Sequence, residues 1–276
     1  MVFFQTILKI MDRPMKTPQL FGWFHIVSLA LTVLVTFFLC FRHKADEPNR
    51  VRSVVLGTAL LVTVLEIYKQ INYSFSYTDG ISFDYQWYAF PFQFCSTPMY
   101  VGLLAGLLRK GKLQQALYAY LATFAVFAGV CVMLYPGDVF VKTAGINIQT
   151  VVCHGSMICI GVYLMYTGTV KLEHRTIMMA LPVFGVTVSM AAVMNEIAHL
   201  SGLLEREVFN MFFISPYCEP SLPVYSLVQA KIPFPWCLFV YIIAFTLAAY
   251  LILLIGMSAR KITHRLTTPR KQKLRV

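Results

Sequence analysis

The chain has 276 residues, of which 58% are hydrophobic and 13% charged, and a formal net charge of +11. Its mean hydropathy of +0.67 excludes an ordinary soluble domain, in which about a quarter of residues are charged. A basic surplus in a soluble chain would point to nucleic acid, but here the Lys and Arg residues sit in short connections and the C-terminal tail, as in a membrane protein oriented by charge.

The N-terminal stretch MVFFQTILKIMDRPMK has no basic lead followed by an unbroken apolar run. It therefore does not read as a cleaved signal, and residues 1–20 are expected to hold a short interfacial helix. Seven apolar runs follow, at 21–41, 53–73, 88–108, 114–135, 146–168, 176–198 and 234–257. Each has about 20 residues, as a hydrocarbon core roughly 30 Å thick requires. The expected fold is all-α, a polytopic transmembrane bundle of about seven spans, forming one integral membrane domain over residues 1–276 with a basic tail at 258–276. No internal repeat is visible.

Sixteen basic residues fall in loops 42–52, 109–113 and 169–175 and in the tail, against six on the other side. The positive-inside rule puts the first group in the cytoplasm and the N-terminus outside, with the chain in the cell membrane. The tail then reads as a topology signal in contact with anionic lipid. Seven cysteines, at 40, 95, 131, 153, 159, 218 and 237, form no CxxC pair. Neither a disulfide framework nor a metal site is indicated, and no cofactor is called for.

Polar residues inside spans are costly and usually face the bundle interior. In this chain they share one depth. His25 lies in the outer part of the first run, and Glu66, Lys69 and Gln70 in the outer half of the second. Cys95 falls roughly 10 Å into the third run and His154 roughly 12 Å into the fifth, at 1.5 Å per residue. Asn195, Glu196 and His199 end the sixth. Asn147, Thr150 and His154 are spaced i, i+3, i+7 and form one stripe. One polar cavity opening outward is expected, with His25, Glu66, Lys69, Gln93, Asn147, Asn195 and Glu196 as candidate substrate-binding residues.

The third run contains FPFQFCSTP, from Phe90 to Pro98. Its two prolines weaken a helix and free backbone groups, which is tolerable in a membrane only where protein or water satisfies them. Gly102 and Gly106 make a GxxxG step, the mark of close helix contact. Taken alone, Cys95 reads as a small buried hydrophobe. As a nucleophile it needs an adjacent base, and His154 is the partner at matched depth. Cys153 points about 100° from His154, and Cys131 is left open by spacing. Gln93 reaches the same site only if the prolines distort the helix. Glu66 and Lys69 also read as an intrahelical ion pair, Glu196 and His199 as solvated span-end groups. NMFFISP, from Asn210 to Pro216, either re-enters the membrane to cap the cavity or lies on the surface.

PFQFC, the CHG around His154, the early FGWFH and the NMFF…P segment together resemble the YwaF family of bacterial integral membrane proteins, over roughly residues 20 to 257. That family is related to eukaryotic transmembrane acyltransferases that build ether phospholipids, and distantly to androgen-induced and androgen-dependent membrane threonine hydrolases. The resemblance puts Cys95 on the nucleophile position and His154 on the base, and it matches His25 and Asn210 without a role. Asn210 completes the substrate-binding set. The expected activity is acyl transfer or hydrolysis on phospholipid or fatty-acyl esters through a thioester, with membrane lipids as donor and acceptor. The runner-up is a transporter or solute-binding protein using Glu66, Lys69, Glu196 and the histidines. A third reading is a non-catalytic scaffold.

Overall fold

The computed structural model describes residues 2–42, 48–76, 81–137, 139–205, 207–219 and 222–267. The basic residues Lys44, Arg206, Arg270, Lys271, Lys273 and Arg275 lie outside the described residues. The helices are α1 (Val2–Met11), α2 (Trp23–Phe41), α3 (Pro48–Asn72) and α4 (Thr97–Leu107), then α5 (Lys112–Leu134) and α6 (Ala144–Tyr166). The last three are α7 (Arg175–Leu200), α8 (Pro223–Gln229) and α9 (Trp236–Thr267). A two-residue antiparallel pair, Phe75–Ser76 with Ser82–Phe83, is the one sheet among the described residues.

Six helices, α2, α3, α5, α6, α7 and α9, are long and apolar enough to cross a membrane. Apolar side chains stay exposed on their outward faces, such as Leu34, Phe37, Val64, Val193, Leu247 and Leu251, as contact with lipid tails demands. Fully buried Phe124, Tyr163, Phe184 and Tyr241 fill the interior.

The third run departs from a continuous span. Apart from a single 3-10 turn at Trp87–Ala89, only α4 is helical, and its 11 residues reach about 16 Å at 1.5 Å per residue, half the hydrocarbon thickness. The cause is local. Pro91 holds Phe90 at φ −49°, ψ 135°, the extended conformation a following proline imposes. Pro98 sits in the first turn of α4, where its missing N–H has no intrahelical acceptor anyway. Residues 90–96 therefore cross the outer half as irregular backbone. Irregular backbone survives at that depth only when protein satisfies it.

Gly102 and Gly106 do lie against α3, as the GxxxG step requires. A Cβ on Gly102 would come 3.1 Å from the Ala59 Cβ, and one on Gly106 would come 2.9 Å from the Leu56 Cα. Cys95, however, precedes the helix, so the glycine register does not extend to it. Inside α5, residues Leu121–Ala125 form a π turn, and Gly161 of α6 gives it room, since a Cβ there would lie 2.8 Å from the Leu121 carbonyl.

The two faces of the bundle differ. The basic loops meet on one, where Arg52, Arg109, Lys110 and Thr169 border a single cavity. On the other, the Tyr68 hydroxyl donates to Met11 O at 2.6 Å, and Met15 N–H donates to Lys142 O at 2.7 Å. The N-terminal segment, with Leu8 fully buried, therefore packs over the end of α3 and the α5–α6 loop.

Candidate active site

A polar layer occupies the half of the bundle away from the basic face. Its centre is Glu66, 5% exposed. One carboxylate oxygen takes the Lys69 ammonium at 2.7 Å and the Gln70 amide at 2.8 Å, and the other takes the Gln149 amide at 3.2 Å. Gln70 also donates to Ala89 O at 2.9 Å and accepts from Tyr85 Oη at 2.6 Å. A buried carboxylate is tolerated because its lone pairs are filled and its charge is paired.

Five of the polar residues marked in the sequence have their hydrogen-bonding groups taken by backbone. His25 Nδ1 accepts from Phe21 N–H at 2.9 Å, so Nε2 carries the proton and donates to Met133 O at 2.8 Å. Asn147 pairs with both polar groups of one peptide unit's residue, Val141, at 2.9 and 2.7 Å. Asn195 does the same to Met211, at 2.7 and 3.0 Å. Gln93 accepts from Phe212 N–H at 2.9 Å and donates to Asn210 O at 3.0 Å. The Asn210 side chain accepts from Ser215 N–H at 2.9 Å.

Through these contacts NMFFISP enters the bundle. Met211, Phe212 and Ile214 are fully buried, and Tyr241 Oη donates to Phe212 O at 3.2 Å. Phe212 and Phe213 stand at φ 58° and 57°, a strained region for residues with a Cβ. Gln93 thus reaches the interior because the prolines break the helix, and it satisfies a second irregular segment.

Cys95 lies half-buried in the turn before α4. Ser96 N–H and Thr97 N–H both donate to Gln93 O, at 2.8 and 3.1 Å. Thr97 Oγ1 is hydrogen-bonded to the buried Tyr120 hydroxyl at 2.7 Å, which anchors the turn to α5. Cys153 Sγ donates to Cys95 O at 3.9 Å, which brings a second thiol against the Cys95 turn. Cys131 is exposed on the outside of α5.

His154 is 5% exposed. Its Nδ1 lies 2.7 Å from Thr150 O; a carbonyl only accepts, so Nδ1 carries the proton and Nε2 holds the free lone pair. That Nε2 is buried and has no hydrogen-bond partner among the described residues. Cys95 and His154 are therefore not hydrogen-bonded to each other in this arrangement. Both lie within electrostatic reach of Lys69, and Cys95 also of Glu66.

Glu196 is peripheral. Its carboxylate accepts from Tyr217 Oη at 2.7 Å, and His199 stacks on the Tyr217 ring at 3.6 Å between centroids. The hydrogen bond to Glu196 pushes the exposed Tyr217 phenol up.

The sequence does not single out Gln149 or Tyr85, and it sets Cys153 aside because it points about 100° from His154. Gln149, Cys153, Ser156 and Ile160 form a second stripe on α6, at i, i+4, i+7, i+11, and it is this stripe that faces α3. Cys153, Ser156 and Ile160 line a small cavity of about 30 Å³ together with Val55, Thr58 and Gly102. A count of stripes on α6 would have found it.

No curated protein and no solved structure matches the chain. The model of one transmembrane protein family matches residues 20–254, from before α2 to within α9 and through every residue of the polar layer. On that match the chain belongs to the TMEM164 family.

Proposed function

We propose that this chain is a membrane-embedded acyltransferase or lipid ester hydrolase, with Cys95 as nucleophile and His154 as general base, acting in the cell membrane. The observation that carries the reading is the His154 ring. Thr150 fixes the proton on Nδ1, which leaves Nε2 as a buried lone pair with no partner among the described residues. An orphaned buried acceptor is unfavourable, and a free basic nitrogen is what proton transfer from a thiol requires.

The reaction then runs in two steps. Nε2 takes the Cys95 thiol proton, Sγ attacks the ester carbonyl of a phospholipid or fatty-acyl ester, and the carbon–oxygen bond breaks. The proton passes from His154 to the leaving alkoxide, and a thioester remains. In the second step His154 deprotonates an acceptor hydroxyl, whose oxygen attacks the thioester. The carbon–sulfur bond breaks and the proton returns to sulfur. A lipid alcohol as acceptor gives transfer, and water gives hydrolysis. Sγ and Nε2 must come within hydrogen-bond reach for this, and such contacts often tighten only around substrate.

The remaining groups support the chemistry. The Lys69 ammonium, held by Glu66, bears electrostatically on Cys95 and His154 and favours negative charge developing there. Cys153, Val62, Ala59 and Val55 line the small apolar cavity between α3, α4 and α6, which on this reading marks where the acyl chain lies. His25, Gln93, Asn147, Asn195 and Asn210 hold the loops that shape the site, leaving Glu66 and Lys69 as its polar wall. Similarity to the YwaF family and its acyltransferase relatives points the same way. The carrier reading draws on the same groups, but Glu66 is already saturated by three donors, which suits positioning better than proton cycling.

The test is purified protein in vesicles holding an isotope-labelled phospholipid and a lysophospholipid, with products read by mass spectrometry. Label should move to the acceptor or to free fatty acid, and Cys95→Ala and His154→Asn should each abolish it. Turnover by Cys95→Ala at the parent rate would sink the assignment, and solute uptake without acyl product would favour a carrier.

A further inference from the structure

The basic face holds a cavity of its own. An open cavity of about 660 Å³ lies among the ends of α3, α4, α5 and α6. Arg52 enters it from the first turns of α3, Arg109 and Lys110 from the α4–α5 turn, and Thr169 from beyond α6. Among the described residues no carboxylate lines it and none pairs with these three cations.

Topology alone needs cations in these loops; it does not need them around one cavity. The turn that carries Arg109 and Lys110 is fixed by the buried Gln114, whose amide donates to Ala105 O at 2.9 Å and Leu108 O at 2.8 Å. The cap position of α5 is Gly111, which offers no side-chain cap, so the first N–H groups of that helix remain as donors at the cavity rim. The α3 N-terminus opens onto the same space through Asn49 and Val51. Independently, Tyr118 lines the cavity and is 5% exposed; its carbonyl is taken within α5, but its hydroxyl makes no hydrogen bond to any described residue, and Arg52 acts on it electrostatically.

We propose that this cavity binds a phosphate group, carried by the headgroup of an anionic glycerophospholipid at the basic face. Arg52, Arg109 and Lys110 supply the countercharge, the Tyr118 hydroxyl donates a hydrogen bond, and the volume admits the phosphate with its glycerol. Arginine suits such an oxyanion because it offers paired donors. The lipid bound here is not the acyl donor. Arg52 and Glu66 lie about 20 Å apart along α3, at 1.5 Å per residue, whereas the esters of a phospholipid adjoin its phosphate. This proposal stands independently of the acyl-transfer reading, and its test reads binding rather than turnover.

The full-length protein in a zwitterionic detergent is titrated with dioctanoyl phosphatidylglycerol, and the unfolding temperature and native mass spectra are followed. The expected result is a saturable rise in unfolding temperature with one lipid bound, and none with dioctanoyl phosphatidylcholine. The triple variant Arg52→Gln/Arg109→Gln/Lys110→Gln should weaken binding about tenfold or more, as loss of charge-assisted hydrogen bonds implies. A control with equal charge removed elsewhere on the face, Lys171→Gln/Arg175→Gln/Lys261→Gln, should bind as the parent does. Tyr118→Phe should weaken binding several-fold while leaving the lipid-free unfolding temperature unchanged, which keeps the test decisive should the triple variant misfold. Glycerol phosphate and inorganic phosphate form the second arm. Competition by either at millimolar concentration supports the phosphate site but assigns it a soluble ligand, and failure to compete assigns it the lipid. Equal response to phosphatidylcholine, equal loss in the control, or full binding by the triple variant would overturn the proposal.

Discussion

Replacing Asn195 by alanine removes both hydrogen bonds that hold Met211 inside the bundle. The Asn195 side chain, 1% exposed, accepts from Met211 N–H at 2.7 Å and donates to Met211 O at 3.0 Å. Met211 is fully buried, so water cannot take over. Met211 O keeps the Ile214 N–H at 3.4 Å, but Met211 N–H is orphaned, at about 1–3 kcal/mol. Gln93 and Tyr241 still hold the loop in the bundle, so the positive φ of Phe212 and Phe213 is retained and offsets nothing. The net loss is about 1–3 kcal/mol, or a fall of about 2–12 °C in unfolding temperature for a chain of this size. Fluorescence-monitored unfolding in detergent measures it, and limited proteolysis should reveal new cleavage between Phe209 and Ser215. Phe213→Gly is the contrasting variant. Its side chain is 38% exposed, and relief of the positive φ is offset by glycine's backbone entropy, so stability should change by no more than about 1 kcal/mol. An Asn195→Ala protein that melts within a degree of the parent, or a Phe213→Gly protein that loses as much, would refute the clamp.

Three further outcomes follow from packing and charge. Gly145→Ala places a Cβ on the Tyr68 phenol; it should break the Tyr68–Met11 hydrogen bond and cost about 1–3 kcal/mol as overpacking does, read by thermal unfolding. Lys69→Met leaves the Glu66 carboxylate buried without its counter-charge and should destabilise by about 3–5 kcal/mol, most of which the double variant with Glu66→Gln should restore. Ala59→Leu narrows the cleft between α3 and α4, where Gly102 already comes close to the Ala59 methyl. In the vesicle assay it should depress turnover of long acyl chains more than short ones, and an equal loss for both would argue against the cleft as the chain track.

The bundle itself was legible because lipid imposes a strong rule: about 20 apolar residues per crossing. That rule also misled at 88–108, where apolar content is sufficient but Pro91 and Pro98 leave helix only from Thr97. The shared depth of the polar residues was legible too, since helical rise converts residue number to height. What each side chain touches was not. Gln93, Asn195 and Asn147 look like site residues in the sequence, yet each pairs with backbone from a loop whose course the sequence does not reveal. Gln149 escapes notice because the stripe through His154 runs by Asn147 and Thr150, and Cys153 is set aside by its angle to His154, while α3 lies against the neighbouring stripe that carries both. The π turn at Leu121–Ala125 has no sequence signature and depends on the close approach of Gly161. The cavity at Arg52, Arg109 and Lys110 joins residues far apart in the chain, and in the sequence they register only as topology signals.

The most direct measurement of the central claim is the mass of the enzyme itself. Parent protein incubated with a phospholipid carrying a labelled acyl chain, quenched in acid and mapped by peptide mass spectrometry, should carry one acyl group on the peptide containing Cys95. Neutral hydroxylamine should remove it, Cys95→Ala should not form it, and His154→Asn should form it far more slowly. An acyl group found on Cys153 in the parent, or adduct formation undiminished in Cys95→Ala, would contradict the account.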